Sequence, residues 1–260
     1  GSGIFMAPQA LAAVANPAAA MTAWIITAVG SFLLAICFAR MGAAYPATGG
    51  PIVFTRKAFG EFPAFQIAWI YWIGSWVGNA TIITGFVSYF TYFFPVFGRE
   101  RILAFLLSSV VLWIFTIINI LGVRKAGNLG IVTTTLKIVP LLAFIAIAAF
   151  FFEPANLATV SKPELTGFTG LPAAIAITLW AFVGLECATI PAGEIRDPSR
   201  NIRRGTLYGI FFTALLYLIV SFVAMGGMPQ ADLAVSSAPL ADIITRVSGI
   251  SWGGPLIAFG

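Results

Sequence analysis

The sequence contains no histidine and only two cysteines, Cys37 and Cys187. Without histidine, neither a His-ligated metal site nor a Ser–His nucleophile pair can be built. Both cysteines fall inside apolar runs, which argues against a disulfide and leaves the redox compartment unreadable. Charge is scarce too, at 9% of residues. Asp197, Asp232 and Asp242 read as loop residues, so a paired-aspartate intramembrane mechanism has no support. No enzyme, metal or cofactor is expected. There is no basic n-region before the opening GSGIF, and no cleavable signal peptide is read there.

What the chain does have is apolar length. Of its 260 residues 60% are hydrophobic, and the mean hydropathy is +0.98. Such a composition implies a polytopic helical membrane protein. The net charge of +5 is better explained by positive loops on one membrane face than by a nucleic-acid partner. Both ends read as cut, so the chain is expected to be one transmembrane domain over residues 1–260. It would run from the second half of a first span to the start of an eighth.

The pattern centres on ITLWAFVGLECATIPAGE, residues 177–194. A glutamate in hydrocarbon is costly unless it faces a cavity or a partner, and Glu186 stands mid-stretch. Gly184 precedes it and Pro191 follows. Broken helices persist in membranes only where they line protein or water, and they mark transporter binding sites. The stretch therefore reads as an interrupted sixth helix. The plainer alternative is a structural ion pair or a solvated helix end.

In chain order, a short helix from Ile4 to about Ala15 is too short to cross a bilayer, which takes roughly 20 residues. Exposed amides around Gly1, Ser2 and Gly3 suit a carboxylate. A second span runs from about Ala20 to Ala44. A proline- and glycine-rich loop with a surface helix follows over 45–63. The third span, about Phe65 to Phe94, sets Tyr71, Ser75 and Asn79 on one helical face, as a packing seam or a pocket wall. Further spans are expected at about Ile102 to Leu121, Leu129 to Phe152 and Thr206 to Met228. Polar connections are expected over 153–170 and 229–248. Lys137 lies within the fifth span and either snorkels to the surface or faces the interior.

Arg40, Arg56, Lys57, Arg124, Lys125, Arg196, Arg200, Arg203 and Arg204 gather on one side. Arg99, Arg101, Lys162 and Arg246 gather on the other. The bias of nine against four makes the first side cytoplasmic. The first and sixth helices both carry a glycine-bearing interruption. They stand five spans apart, so two repeats would be inverted, an organisation of many secondary transporters.

Several runs carry a family resemblance: GSGIF at 1–5, PATGGP at 46–51, FTRKAFG at 54–60, LWAFVGLE at 179–186 and EIRDPSRNI at 194–202. In this order the chain resembles the amino acid–polyamine–organocation superfamily. The Tyr71, Trp72, Trp76, Asn79 run and the Trp180, Gly184, Glu186 run are most similar to its basic amino acid and polyamine antiporters of the arginine–agmatine kind.

The resemblance implies an all-α LeuT-type fold of about twelve spans, two inverted repeats and alternating access. It implies a secondary transporter of amino acids or polyamines, working by exchange in the cell (inner) membrane among lipid, with no nucleic-acid partner and a homodimer compatible with it. By it, Gly1, Ser2 and Gly3 bind the substrate carboxylate, Ile4 belongs to the substrate-binding set, and the backbone of Ala181 and Gly184 receives the ammonium. Ser75 and Asn79 contact substrate. Trp180 is a gate, and Tyr71 and Glu186 form a distal gate or side-chain pocket. Lys137 departs from the arginine–agmatine pattern and is similar to relatives in which a lysine replaces a bound sodium ion. Glu186 either attracts a basic side chain or carries a proton. Proton-coupled symport of neutral amino acids and a channel stay open as alternatives.

Overall fold

The computed structural model describes residues 2–158, 163–248 and 255. All regular structure among them is helical. Twelve α-helices follow one another: α1 (Ala7–Val14), α2 (Pro17–Ala44), α3 (Pro51–Phe59), α4 (Glu61–Phe93), α5 (Val96–Arg99), α6 (Arg101–Ile120), α7 (Val123–Ala148), α8 (Pro154–Ala158), α9 (Leu171–Ala181), α10 (Pro198–Gly227), α11 (Gln230–Val235) and α12 (Pro239–Ser248).

Among the described residues four stretches are long and apolar enough to cross a membrane: α2, α6, α10 and residues Lys125–Phe151. With 33 residues, α4 is about 50 Å long and can cross as well. Its Trp, Tyr, Gly and Asn residues lower its hydropathy. The chain is thus a multi-pass membrane protein.

Helix α10 begins at Pro198, eight positions before the expected start, because proline suits a first helical turn and the basic run behind it is compatible with helix. Helix α7 begins at Val123, six positions before the expected start of the fifth span at Leu129. The connection expected over 229–248 folds into α11 and α12. The eighth span, expected from Ile250, lies outside the described residues apart from Pro255.

Lipid gives helices little hydrophobic reason to associate, so close contact between small side chains must hold them. The α2 sequence meets that need. Thr27, Ser31, Ala35 and Ala39 recur every fourth residue and are buried. They face α10, whose Ile202, Thr206 and Ile210 recur with the same spacing and are also buried. Further along, Trp24 is fully buried and meets Phe182 and Tyr217 edge-on, at ring distances of 5.8 and 5.6 Å. Such aromatic pairs add about 0.5–1.5 kcal/mol each. Because Phe182 directly follows α9, this cluster braces the end of α9 from behind.

Asn16 joins the two halves of the chain. Its Oδ1 accepts from the Ala19 amide at 2.9 Å and caps α2. Its Nδ2 donates to the Leu165 and Gly167 carbonyls at 2.7 and 2.6 Å. On the same side, Gln230 Nε2 donates to the Ala12 and Ala15 carbonyls at 3.0 and 2.8 Å, the last turn of α1. Gln230 thereby satisfies carbonyls that the short α1 leaves open.

Candidate functional site

Both short helices stop where membrane helices ordinarily continue. Residues Ser2–Phe5 form a 3-10 turn that leads into α1. Helix α9 ends at Ala181, and the chain then passes through Gly184, whose φ of 103° lies in the region glycine tolerates. No α-helix resumes before α10. Cys187–Thr189 and Ala192–Glu194 are single 3-10 turns. The second apolar piece of the broken helix is therefore irregular rather than α-helical, with Pro191 among its turns.

The turn before α1 meets the end of α9. A methyl on Gly3 would lie 3.8 Å from Trp180 Cδ1 and 3.9 Å from the Ala181 Cα. At the other end, Gly170 at the start of α9 sits so close to Val14 and Ala15 that a methyl there would overlap the Val14 carbonyl oxygen. The start of the first helix thus lies on the end of α9, and its end on the start of α9. The two short helices run antiparallel.

Helix α4 closes the site from a third direction. A methyl on Gly78 would lie 3.7 Å from Trp180 Cη2, so the indole reaches from Gly3 to α4. About three turns further along α4, Tyr89 is buried, donates to the Phe5 carbonyl at 2.8 Å and meets the Phe5 ring edge-on. Tyr71 donates to Glu186 Oε1 at 3.1 Å, and its oxygen lies 3.7 Å from Cys187 Sγ. Glu186 has no salt-bridge partner among the described residues.

Of the residues singled out from sequence, Gly3, Tyr71, Trp180, Ala181, Gly184 and Glu186 are gathered here, and Ile4 is buried beside them. Gly1 lies outside the described residues. Ser2 is described only as backbone within its turn. Ser75 spends its hydroxyl on the Tyr71 carbonyl at 2.7 Å and is exposed, as is Asn79. Gly78, not Asn79, is the α4 residue against Trp180. Lys137 is half-buried, with no hydrogen bond or ion pair among the described residues.

Sequence reading missed Tyr89 and Gly78. Tyr89 could have been found from its place eighteen residues after Tyr71, five helical turns along one face. It also missed the loop Thr48–Gly50 as part of the site's support. The signals there were its glycine pair and its place in the PATGGP run at 46–51.

Together the features define a class: a polytopic membrane protein built around the facing ends of two short helices, with a tyrosine-bound carboxylate beside them. That is the organisation of transporters with mid-membrane sites. A family model described as amino acid permease matches residues 1–260. The chain belongs to the amino acid permease family. It is 34% identical over 268 residues to an arginine/ornithine antiporter of Pseudomonas aeruginosa, covering all of this chain and 55% of that protein. It is 32% identical over 273 residues to an arginine/agmatine antiporter of Chlamydia felis, covering all of this chain and 56% of that protein. A Chlamydia trachomatis protein named the same way is 33% identical over 269 residues, with the same coverage. The chain spans about half the length of the curated relatives it matches. These relatives are transporters rather than enzymes.

Proposed function

We propose that the intact protein is a secondary active transporter of the cell's inner membrane that exchanges a basic amino acid for a related amino acid or amine by alternating access. The observation that carries this reading is the meeting of Gly3 with Trp180 and Ala181, beside a carboxylate held by Tyr71. An α-amino acid needs an anion site and a cation site within a few ångströms. Free amides at a helix start supply the first, and free carbonyls at a helix end supply the second. Gly1, Ser2, Gly3 and Ile4 serve the substrate carboxylate, and Ala181 and Gly184 its ammonium. Glu186 supplies the charge that a cationic side chain seeks. The printed names of the relatives, arginine/ornithine and arginine/agmatine antiporter, support the same substrate class.

In the cycle, Trp180 covers the bound substrate between Gly3 and Gly78. Tyr71 holds Glu186 in reach and releases it when a cationic side chain competes for the carboxylate. Exchange follows if the return step requires a bound substrate. A second reading, proton-coupled symport of neutral amino acids, is favoured by the half-buried Lys137, which has no carboxylate partner among the described residues. The deciding experiment is solute counterflow with the intact protein in proteoliposomes. Labelled arginine should enter vesicles preloaded with arginine, ornithine or agmatine and not empty ones. Uptake into empty vesicles driven only by an inward proton gradient would favour symport.

A further inference from the structure

Glu186 is anchored from behind as well as by Tyr71. Its carbonyl oxygen accepts twice from Thr189, from the amide at 2.9 Å and from the hydroxyl at 2.7 Å. Two donors on one carbonyl fix the peptide plane that follows Glu186 and so the direction its side chain leaves the backbone.

Thr189 is itself immobilised. It is fully buried. On its methyl side, a methyl on Gly42 of α2 would lie 3.0 Å from Thr189 Cγ2. On its hydroxyl side, a methyl on Gly50 would lie 2.5 Å from Thr189 Oγ1, and Gly50 has a φ of 47°. The same loop continues the fit. Gly49 N donates to the Ile190 carbonyl at 2.9 Å. A methyl on Gly193 would lie 2.8 Å from Thr48 Oγ1. The seat is a complementary surface between the Thr48–Gly50 loop and residues 189–193, and only glycine fits at its contact points.

We infer that Thr189, seated by the Thr48–Gly50 loop, is a positioning residue that aims Glu186 at the cationic end of the substrate. The inference rests on the reading that Glu186 faces a basic side chain. Thr189 touches no substrate. Its effect belongs in the KM for a cationic substrate and not in the maximal rate or in the handling of a neutral one.

The test uses the intact protein in proteoliposomes, with arginine and leucine as the two probes. Thr189→Val keeps the shape and removes the hydroxyl. It should raise the arginine KM about 5-fold, the scale of one hydrogen bond, with the maximal rate and any leucine exchange unchanged. Thr189→Ser keeps the hydroxyl and should restore the arginine KM. An unchanged arginine KM in Thr189→Val would overturn the proposal, as would an equal loss in Thr189→Ser, which would mark simple packing. A Val variant that does not fold is answered from the other side of the seat. Gly193→Ala should raise the arginine KM, and adding Thr48→Ala, which removes the obstructing oxygen, should bring it back. Failure of that recovery would also overturn the proposal. Glu186→Gln run in parallel separates the layers. If it raises the arginine KM while Thr189→Val does not, only the seat falls. If it leaves arginine unaffected, the charge reading falls and the seat with it.

Discussion

Tyr71 on α4 donates a 3.1 Å hydrogen bond to Glu186, 115 residues further on, across the gap left where α9 stops. A hydroxyl donated to a carboxylate is a charge-assisted bond, stronger than a neutral one. It links the helix that carries Gly78 to the irregular segment beyond Gly184. Movement of α4 relative to that segment must break this bond or carry Glu186 along.

Glu186→Gln keeps the size and removes the charge. Exchange of arginine should weaken about tenfold, the scale of one lost charged contact, while exchange of a neutral amino acid changes little. Paired counterflow assays with arginine and leucine read the difference. An equal effect on both probes would assign Glu186 a structural role.

Tyr71→Phe removes the same bond from the other side. If the two residues act as a pair, the double variant Tyr71→Phe/Glu186→Gln should fall short of the sum of the single effects by about 0.5–1.5 kcal/mol in arginine KM. Strict additivity would mean that the bond is not kept in the substrate-binding state.

Asn16→Ala should destabilise the fold without touching the site. Losing the α2 cap costs about 1 kcal/mol, and the Leu165 and Gly167 carbonyls lose a buried donor at a further ~1 kcal/mol each. Thermal unfolding of the intact protein in detergent should show a lower Tm. Asn16→Asp should not recover the loss, since it keeps the acceptor for Ala19 but turns a carboxylate oxygen toward the Leu165 and Gly167 carbonyls, which need a donor.

How much of this was legible depended on the residue type. The spans announce themselves because about twenty apolar residues in a row have few other uses. Glu186 and Gly184 stand out because a charge and a glycine are both costly inside such a run. That α9 does not resume as α-helix was not legible. CATIPAGE is apolar enough for helix, yet it forms two 3-10 turns seated against Thr48–Gly50. Tyr71 and Asn79 share a spacing, yet only Tyr71 meets a partner. Spacing fixes a face and not which part of it is covered. The α11 and α12 helices were hidden because short polar-faced helices resemble loops in composition.

Orientation rests on charge alone and is checked separately. Lys125 should be cytoplasmic and Arg99 external. Single cysteines at these positions, in a chain with Cys37 and Cys187 replaced because both are exposed, should react with an impermeant maleimide in intact cells only at position 99. Labelling at 125 would invert the topology.

The glycines at the two ends of the paired short helices should behave differently on acquiring a methyl. At Gly170 the added carbon would overlap the Val14 carbonyl oxygen and press on Ala15, which are backbone and its attached methyl and cannot swing aside. Gly170→Ala should force α1 and α9 apart and lower the amount of folded protein sharply. At Gly3 the added carbon would rest 3.8 Å from Trp180 and 3.9 Å from Ala181, ordinary van der Waals distances. Gly3→Ala should therefore fold with a Tm near that of the unaltered protein. Yet its methyl would stand in the space where the two helix ends face each other, the space the proposed substrate backbone needs. Exchange should fall by at least about tenfold, equivalent to ~1.4 kcal/mol, through KM. Size-exclusion profile and Tm report the fold, and counterflow reports the site. A Gly3→Ala protein that folds and exchanges normally would show that the meeting of the two helix ends is packing and that substrate binds elsewhere.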